Sequence, residues 1–573
     1  MTPLDSNNVN SLWCSVLIET LVRQGLSYAV VSPGSRSAPL TMAVARTPAV
    51  EAIVAIDERS AAFHALGLAR AGGKPVLLIC TSGSAGAHYL PAIIEAHETG
   101  TPVIVITADR PPELRECASG QTIDQHRLFG RYTEWYHEYA LPELNEGLFA
   151  YLRQTTRQAW QRAERTGPVH LNAPFRDPLA PLPDRGEAAA FATQIDDEFW
   201  AMPDLPAKTS GLRLIHQVTT SRGLIVAGPT TESDQATHAE QIYNLARATG
   251  WPILADGLSP ARHFAPSDVT VVSFYDLILR NHKLARDLTP RYVLGLGSWP
   301  TSKVLREWLS QCLAEILLVS PREGSHDAVH GRTREITAPI AALEFGGSAA
   351  KDQNYQHAWA EAQIQAHAAL SAWMASPETV GFEGRLAWNL AQKLSDNHAL
   401  VVASSMPVRD WEYFCGAAGR GLNIYASRGA NGIDGTLSTA LGVARASQKP
   451  TVLLTGDLAF LHDSNGLMLA RSFSGRLTVI VINNAGGGIF EHLPIAQFGA
   501  EFERYFATPA EVELGPLCAA HGVYHQRVEI PAVIATLNAS AEPGLRVLEV
   551  TTDRKSDAAL RKRAFRELAK RLR

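Results

Sequence analysis

The sequence predicts an α/β protein made of three doubly wound parallel-sheet units. Three observations carry this: short β-branched runs that are apolar throughout, amphipathic stretches between them, and tight Gly- or Ser-containing loops where the runs stop. Strands apolar on both faces belong to a parallel sheet covered by helices on each side. At 573 residues, 46% hydrophobic and 19% charged, the chain has the length and balance for about three globular domains.

In the first unit, expected over residues 1–185, the strands are SYAVV (27–31), AIVAI (52–56), PVLLIC (75–80) and PVIVIT (102–107). ERSAAFHALGLARA and SAGAHYLPAIIEAH follow the second and third as helices. The Pro-rich NAPFRDPLAPLPD (172–184) ends the unit, because repeated prolines remove ladder donors and break helices. The second unit, 186–350, has the runs GLIVAG, WPILAD, RYVLGLG and EILLVS, and GGSAAKDQ (346–353) reads as a linker into a long Ala-rich helix. The third, 351–573, has ALVVAS, LNIYAS, TVLLTG, LTVIVI and LRVLEV, with helices at TLSTALGVARA and SNGLMLARSF between strands. The basic tail alternates charge and apolar positions at helical spacing, as a solvated helix face does.

Charge and composition narrow the partners. Fifty-two Lys+Arg stand against 57 Asp+Glu, a net −5 without a long block of one sign, which argues against nucleic acid and against a polybasic membrane surface. Small-molecule partners are expected. The first residues lack a basic start and an apolar core of signal-peptide length, and nowhere do 18 apolar residues run uninterrupted, so the expected location is the cytoplasm. Six widely spaced cysteines without C-x-x-C suggest neither a disulfide framework nor a zinc site.

Function should lie in the loops at the carboxyl ends of the strands, where open α/β sheets bind ligands. VSPGSRSAPL (31–40) puts Ser35 and Arg36 at such an edge, a place suited to an anion, although an exposed arginine is ordinarily only solvated. In the third unit Gly456-Asp457 ends one strand and Asn483-Asn484 the next, with about 25 residues between, the length of a crossover helix and a strand. The Asp457 carboxylate and Asn484 amide then arrive side by side, and a carbonyl in the following turn, at Gly486, makes a third oxygen ligand. That set suits Mg²⁺ with a phosphate, and the glycines let backbone approach an anion. Each half alone reads equally as a helix cap and a turn.

The two halves together resemble the GD…NN motif of thiamine diphosphate enzymes. The resemblance implies an aminopyrimidine-binding first unit, a central Rossmann-like unit and a diphosphate-binding third unit. It also implies a glutamate at a strand-to-helix junction that shares a proton with N1′ of the cofactor; Glu58, in IDERSAAFHALGLA, stands there. Gly83, Ser405, Ile433, Leu458 and Ile489 fall at matching cofactor positions, and Mg²⁺ or Mn²⁺ is the implied metal.

PGSRS (33–37), IDER (56–59), TSGSA (81–85), TADRPPEL (107–114), SRGANGIDG (427–435) and INNAGGGIF (482–490) resemble one branch, the 2-succinyl-5-enolpyruvyl-6-hydroxy-3-cyclohexene-1-carboxylate synthases of menaquinone synthesis. That branch decarboxylates 2-oxoglutarate on thiamine diphosphate and adds the succinyl-semialdehyde carbanion to isochorismate. Both substrates are dianions, for which arginine supplies a planar pair of donors. The resemblance assigns Arg409 and Arg428 to the succinyl carboxylate, and Arg36, Arg110, Gln121 and Lys303 to isochorismate. Ser35 and Ser405 go near the reacting carbons, Ile433 beneath the thiazolium, and Ile489 and Phe490 in an apolar wall. It further implies a homodimer or dimer of dimers whose strand ends face one another. Val304 and Gly120 depart from the branch, which has a basic residue and Asn there. The alternatives are another thiamine diphosphate carboligase or 2-oxoacid decarboxylase, and a non-catalytic scaffold. A nucleotide-binding dehydrogenase is disfavoured because GLIVAGPTTESD has no G-x-G-x-x-G.

Overall fold

A computed structural model of the chain describes residues 4–201, 214–217, 222–324, 326–346, 351–539 and 542–573. Residues 347–350 of the expected linker lie outside them. The chain forms two compact units. One comprises residues 1–206, 427–448 and 463–474; the other comprises 207–426, 449–462 and 475–573.

In the first unit β1 (Tyr28–Val31), β2 (Glu51–Val54), β3 (Val76–Cys80), β4 (Val103–Asp109), β5 (Trp135–Glu138) and β6 (Val169–Pro174) form one parallel sheet in the order β2-β1-β3-β4-β6-β5. The order reverses direction between β1 and β3, so the loops after those strands, PGSRS and TSGSA, flank a topological switch point. The helices Val9–Gln24 and Glu146–Thr166 bring Trp13, Leu17, Phe149 and Trp160 into the core. Phe199 and Trp200 join that core, past the expected limit at residue 185. β5 and β6 went unread in the sequence because WYHE and VHLNAP are rich in polar groups. The structure explains the second: His170 bonds Thr107 Oγ1 at 2.8 Å, and Asn172 donates to Asp109 Oδ2 at 2.8 Å. Partners on β4 make these buried polar side chains acceptable in the sheet, although His170 Nδ1 has none.

The helix Thr436–Ser447, expected between strands of the third sheet, packs on the helix Glu58–Gly72 within this first unit. Glycines set the contact. A Cβ on Gly67 would lie 2.1 Å from Thr439 O, and one on Gly442 2.2 Å from His64 O.

The second unit holds two six-stranded sheets and a ribbon. β7 (Leu214–Gln217) pairs outside the larger sheets. β8 (Gly223–Ala227), β9 (Ile253–Ala255), β10 (Val271–Val272), β11 (Tyr292–Leu296), β12 (Glu315–Ser320) and β13 (Arg332–Thr337) are parallel in the order β10-β9-β8-β11-β12-β13, the doubly wound 3-2-1-4-5-6 arrangement. β14 (Leu343–Gly346) is the partner of β7. β15 (Ala399–Val402), β16 (Asn423–Tyr425), β17 (Thr451–Gly456), β18 (Arg476–Asn483), β19 (Tyr524–Arg527) and β20 (Gly544–Thr551) follow in the order β16-β15-β17-β18-β20-β19. This repeats the strand order of the first sheet, and its switch point falls between β15 and β17. One apolar core, including Leu254, Trp359, Trp411, Leu454 and Phe565, runs through both sheets of this unit. Among the described residues no helix is long and apolar enough to cross a membrane.

Candidate functional site

The metal-type loops are the most completely built part. β17 and β18 are neighbours in register, Gly456 opposite Ile482, so their ends are adjacent. Asp457 opens a short helix and is buried; its Oδ1 accepts from Leu458 N–H and its Oδ2 from Gly486 N–H, both at 2.8 Å. Burial pushes this carboxyl up to about 6, against the opposing pull of those two N–H groups. Asn484 donates its Nδ2 to Glu383 Oε2 at 3.0 Å, while its Oδ1 is buried without a partner. An unanswered amide oxygen beside a desolvated carboxylate is what a small hard cation completes. Gly486 has φ +130°, and a Cβ there would lie 2.2 Å from Ala507 O, whereas Gly456 faces open space with nothing within 4 Å. The loops are therefore close-packed behind and open in front. They fit a metal-held diphosphate.

Beside them a cavity of about 990 Å³ is lined by Lys303, Arg306, Met406, Arg409, Tyr413 and Ile489, among others. Ser405 precedes the helix Met406–Phe414 with φ +74°, a conformation that costs a non-glycine residue on the order of 1–3 kcal/mol and that clusters at functional sites. Its carbonyl accepts from Arg409 Nη1 at 2.6 Å. Burial lowers the Arg409 pKa, and the Arg306 charge lowers it further. Two cations beside one cavity suit an anionic ligand. Lys303 lies in the wall, but its amine is turned to Glu307 at 3.3 Å and its side chain is 81% exposed. Val304 also lines the cavity. Phe490 packs edge-on to Phe506 at 6.0 Å.

In the first unit, the loops after β1 and β3 lie together. A Cβ on Gly34 would lie 2.2 Å from Thr81 Cβ, and Arg36 N–H donates to Thr81 Oγ1 at 3.3 Å. Arg36 is buried, with Nη1 on Phe175 O at 2.9 Å and Nε unpartnered; Arg110 Nε is buried and unpartnered as well. Desolvation, then the Arg110 charge, lowers the Arg36 pKa. These are donors held ready for an anion. Gln121, at φ +56°, donates Nε2 to Ser82 O at 3.1 Å, and Gly83 N–H donates to Gln125 Oε1 at 2.8 Å. Ser35 is exposed at the rim. Glu58 is the half-buried first residue of its helix, capped by Asp57, whose side chain accepts from Ser60 N–H. Arg428 and Ile433 lie in the segment before Thr436, which is tied down by Glu95: Oε1 accepts from Gly429 N–H at 3.0 Å and Oε2 from Ala430 N–H at 2.6 Å.

The sequence reading missed Glu95, Gln125, Glu383, Asp410 and Arg561. Each acts on a partner distant in sequence and sits in no motif; Asp410 and Arg561 are charged residues within amphipathic helices, and Gln125, in a loop, gave no signal.

Comparison with known proteins fixes the class and then the family. Residues 14–128 match the N-terminal TPP binding domain of thiamine pyrophosphate enzymes, 200–402 the middle domain of thiamine pyrophosphate enzymes, and 414–550 the C-terminal TPP binding domain. The X-ray structure of a protein assigned to the thiamin diphosphate-dependent enzymes of Mycobacterium smegmatis superposes with TM-score 0.63 at 16% identity, covering 94% of this chain and 99% of that one. It shares the fold. The chain is thus a three-domain thiamine diphosphate enzyme. Proteins named 2-succinyl-5-enolpyruvyl-6-hydroxy-3-cyclohexene-1-carboxylate synthase are 47% identical in Synechococcus sp. (strain JA-3-3Ab), over 98% of this chain and 97% of the relative, and 44% identical in Acaryochloris marina, over 99% and 100%. The chain belongs to this synthase family.

Proposed function

We propose that the protein decarboxylates 2-oxoglutarate and joins the remaining succinyl-semialdehyde unit to isochorismate by 1,4-addition. The products are 2-succinyl-5-enolpyruvyl-6-hydroxy-3-cyclohexene-1-carboxylate and CO₂, a step of menaquinone biosynthesis. Near-full-length identity to synthases of that name carries this reading. The unpartnered guanidinium nitrogens of Arg36 and Arg110 support it, since both substrates are dianions.

Bound thiamine diphosphate supplies the electron sink for loss of CO₂ and for carbon–carbon bond formation. Glu58 shares a proton with N1′ of its aminopyrimidine. Asp457, Asn484 Oδ1 and the Gly486 carbonyl hold Mg²⁺ or Mn²⁺, with Gly456 and Leu458 beside the diphosphate. Gly83, Ile433 and Ile489 pack the rings. Arg409 and Arg428 take the succinyl carboxylate; Arg36, Arg110, Gln121 and Lys303 take isochorismate; Ser35 and Ser405 face the reacting carbons. Phe490 and Ile489 exclude water, which slows loss of the reacting unit to a proton. We place domain limits near residues 185 and 350, with Phe199 and Trp200 reaching back from the start of the second domain onto the first core, and read the protein as a cytoplasmic homodimer or dimer of dimers.

Purified protein incubated with thiamine diphosphate, Mg²⁺, 2-oxoglutarate and isochorismate tests this. Loss of isochorismate absorbance that needs both cofactor and 2-oxoglutarate, with a product mass equal to the sum less CO₂, is expected. Decarboxylation with isochorismate untouched would mean a different acceptor.

A further inference from the structure

Glu383 precedes the helix Gly384–Lys393 and is only 2% exposed, yet no part of the reaction above uses it. Its carboxylate bridges two groups. Oε2 accepts from Asn484 Nδ2 at 3.0 Å, and Oε1 accepts from Arg561 Nη2 at 2.8 Å. Arg561 belongs to the C-terminal helix Arg554–Arg571 and also grips Asp410, with Nε on Oδ1 at 3.0 Å and Nη2 on Oδ1 and Oδ2 at 2.7 and 3.0 Å. Asp410 directly follows Arg409. A buried chain of contacts therefore runs Asn484, Glu383, Arg561, Asp410.

The chemistry of the first link fixes an orientation. A carboxylate only accepts hydrogen bonds, so the Asn484 amide must present its NH₂ to Glu383. Its oxygen is then left on the opposite side, buried and unpartnered. The reverse rotamer would set a carbonyl oxygen against a carboxylate. Gly488 leaves the amide its space, since a Cβ there would lie 2.9 Å from Nδ2. The second link holds Glu383 itself, because a paired and hydrogen-bonded carboxylate has one place to be.

We propose that Glu383, held by Arg561, is a positioning residue for the metal site, locking the Asn484 amide with Oδ1 toward the cation. Through Asp410 the same guanidinium fixes the helix that carries Arg409. The inference rests on the reading of Asn484 as a metal ligand. Groups that orient a ligand in this way commonly change metal affinity by about 10–100-fold when removed. A purely structural ion pair would change melting temperature and leave metal affinity alone.

The test uses the full chain with saturating thiamine diphosphate, titrated with Mn²⁺ and followed by the paramagnetic resonance of the free ion. Glu383→Gln should weaken Mn²⁺ binding roughly 10–100-fold. Arg561→Lys, which keeps the charge but loses the fork, should weaken it in the same direction and raise the KM for 2-oxoglutarate. A folded Glu383→Gln protein that binds Mn²⁺ within twofold of the parent overturns the proposal. If that variant does not fold, unchanged Mn²⁺ affinity in Arg561→Lys overturns it instead. A parent protein that takes up no Mn²⁺ with the cofactor present removes the ligand reading of Asn484, and this inference with it.

Discussion

Glu95 holds Ala430: its Oε2 accepts the Ala430 N–H at 2.6 Å, while Oε1 takes the neighbouring Gly429 N–H at 3.0 Å. The carboxylate is buried, with Arg70 at 3.9 Å, and burial raises its pKa despite that cation. It thereby shapes the loop on which Arg428 stands. Glu95→Gln can accept only one of the two bonds in the same geometry, and a charge-assisted bond is worth about 1.5–3 kcal/mol. The expected result is a roughly tenfold lower kcat/KM for 2-oxoglutarate, read by steady-state kinetics. An unchanged value would show that the loop holds its shape without Glu95.

The cavity wall gives a contrast between two cations. Arg409 is largely desolvated and seated on the Ser405 carbonyl, whereas the Lys303 side chain is mostly exposed and its amine faces Glu307. Arg409→Ala should lower kcat/KM for 2-oxoglutarate by roughly 100-fold, the loss expected of a bidentate carboxylate partner. Lys303→Ala should raise the isochorismate KM by a smaller factor, about three- to fivefold, since a cation that meets its anion in solvent contributes less than a buried one. Kinetics with each substrate varied in turn decides both; a large isochorismate effect in Lys303→Ala would mean that its side chain turns inward when substrate binds.

Metal dependence follows from the Asp457 and Asn484 geometry. Chelation should release thiamine diphosphate, and Asp457→Ala should weaken cofactor binding by about 100-fold or more, because the remaining amide and carbonyl carry no net charge. Isothermal titration with cofactor in the presence and absence of Mg²⁺ measures this. Cofactor binding that ignores both the metal and the substitution would remove Asp457 from the site.

Acid should loosen the first unit through its buried histidines. His170, fully buried on β6, is pushed down to about 3 by burial, and His64 likewise to about 3. A folded value below the unfolded 6.5 means that the stability each gives is whole above pH 6.5 and is lost as pH falls toward 3. At pH 5 one such group costs about 2 kcal/mol relative to pH 7. His170→Gln keeps a partner for Thr107 Oγ1 without titrating. The drop in melting temperature between pH 7 and pH 5 should therefore be smaller in this variant; an equal drop would assign the acid sensitivity elsewhere.

Much of this was legible in the sequence because parallel strands buried on both faces are apolar runs: 451–456 and 477–482 lie within strands, and 75–80 and 102–107 do so apart from their leading prolines. The loops were legible because Pro33, Gly34, Gly456 and the glycines after Asn484 mark strand ends where backbone must turn or approach closely. Polar strands were not, since His170 and Asn172 are acceptable in a sheet only through partners on β4 that the sequence does not announce. Glu383 and Arg561 stayed hidden for the same reason: a residue that acts by orienting another leaves no local pattern. The helix Thr436–Ser447 was read as such, but its alternation of small residues could not say which helix its glycine would meet.

The backbone contact of Gly67 with Thr439 and of Gly442 with His64 makes residues 427–448 part of the body that carries Glu58. That body is therefore discontinuous in the order of synthesis. At about 5–20 residues per second, the interval between the emergence of residue 206 and of residue 474 is on the order of tens of seconds. Throughout it, the Gly67 face of the helix Glu58–Gly72 lacks its covering helix. The six strands of the first sheet are all made by Pro174, but the helix Thr436–Ser447 that covers this face comes much later, so an excised fragment ending at residue 206 would carry the face permanently bare.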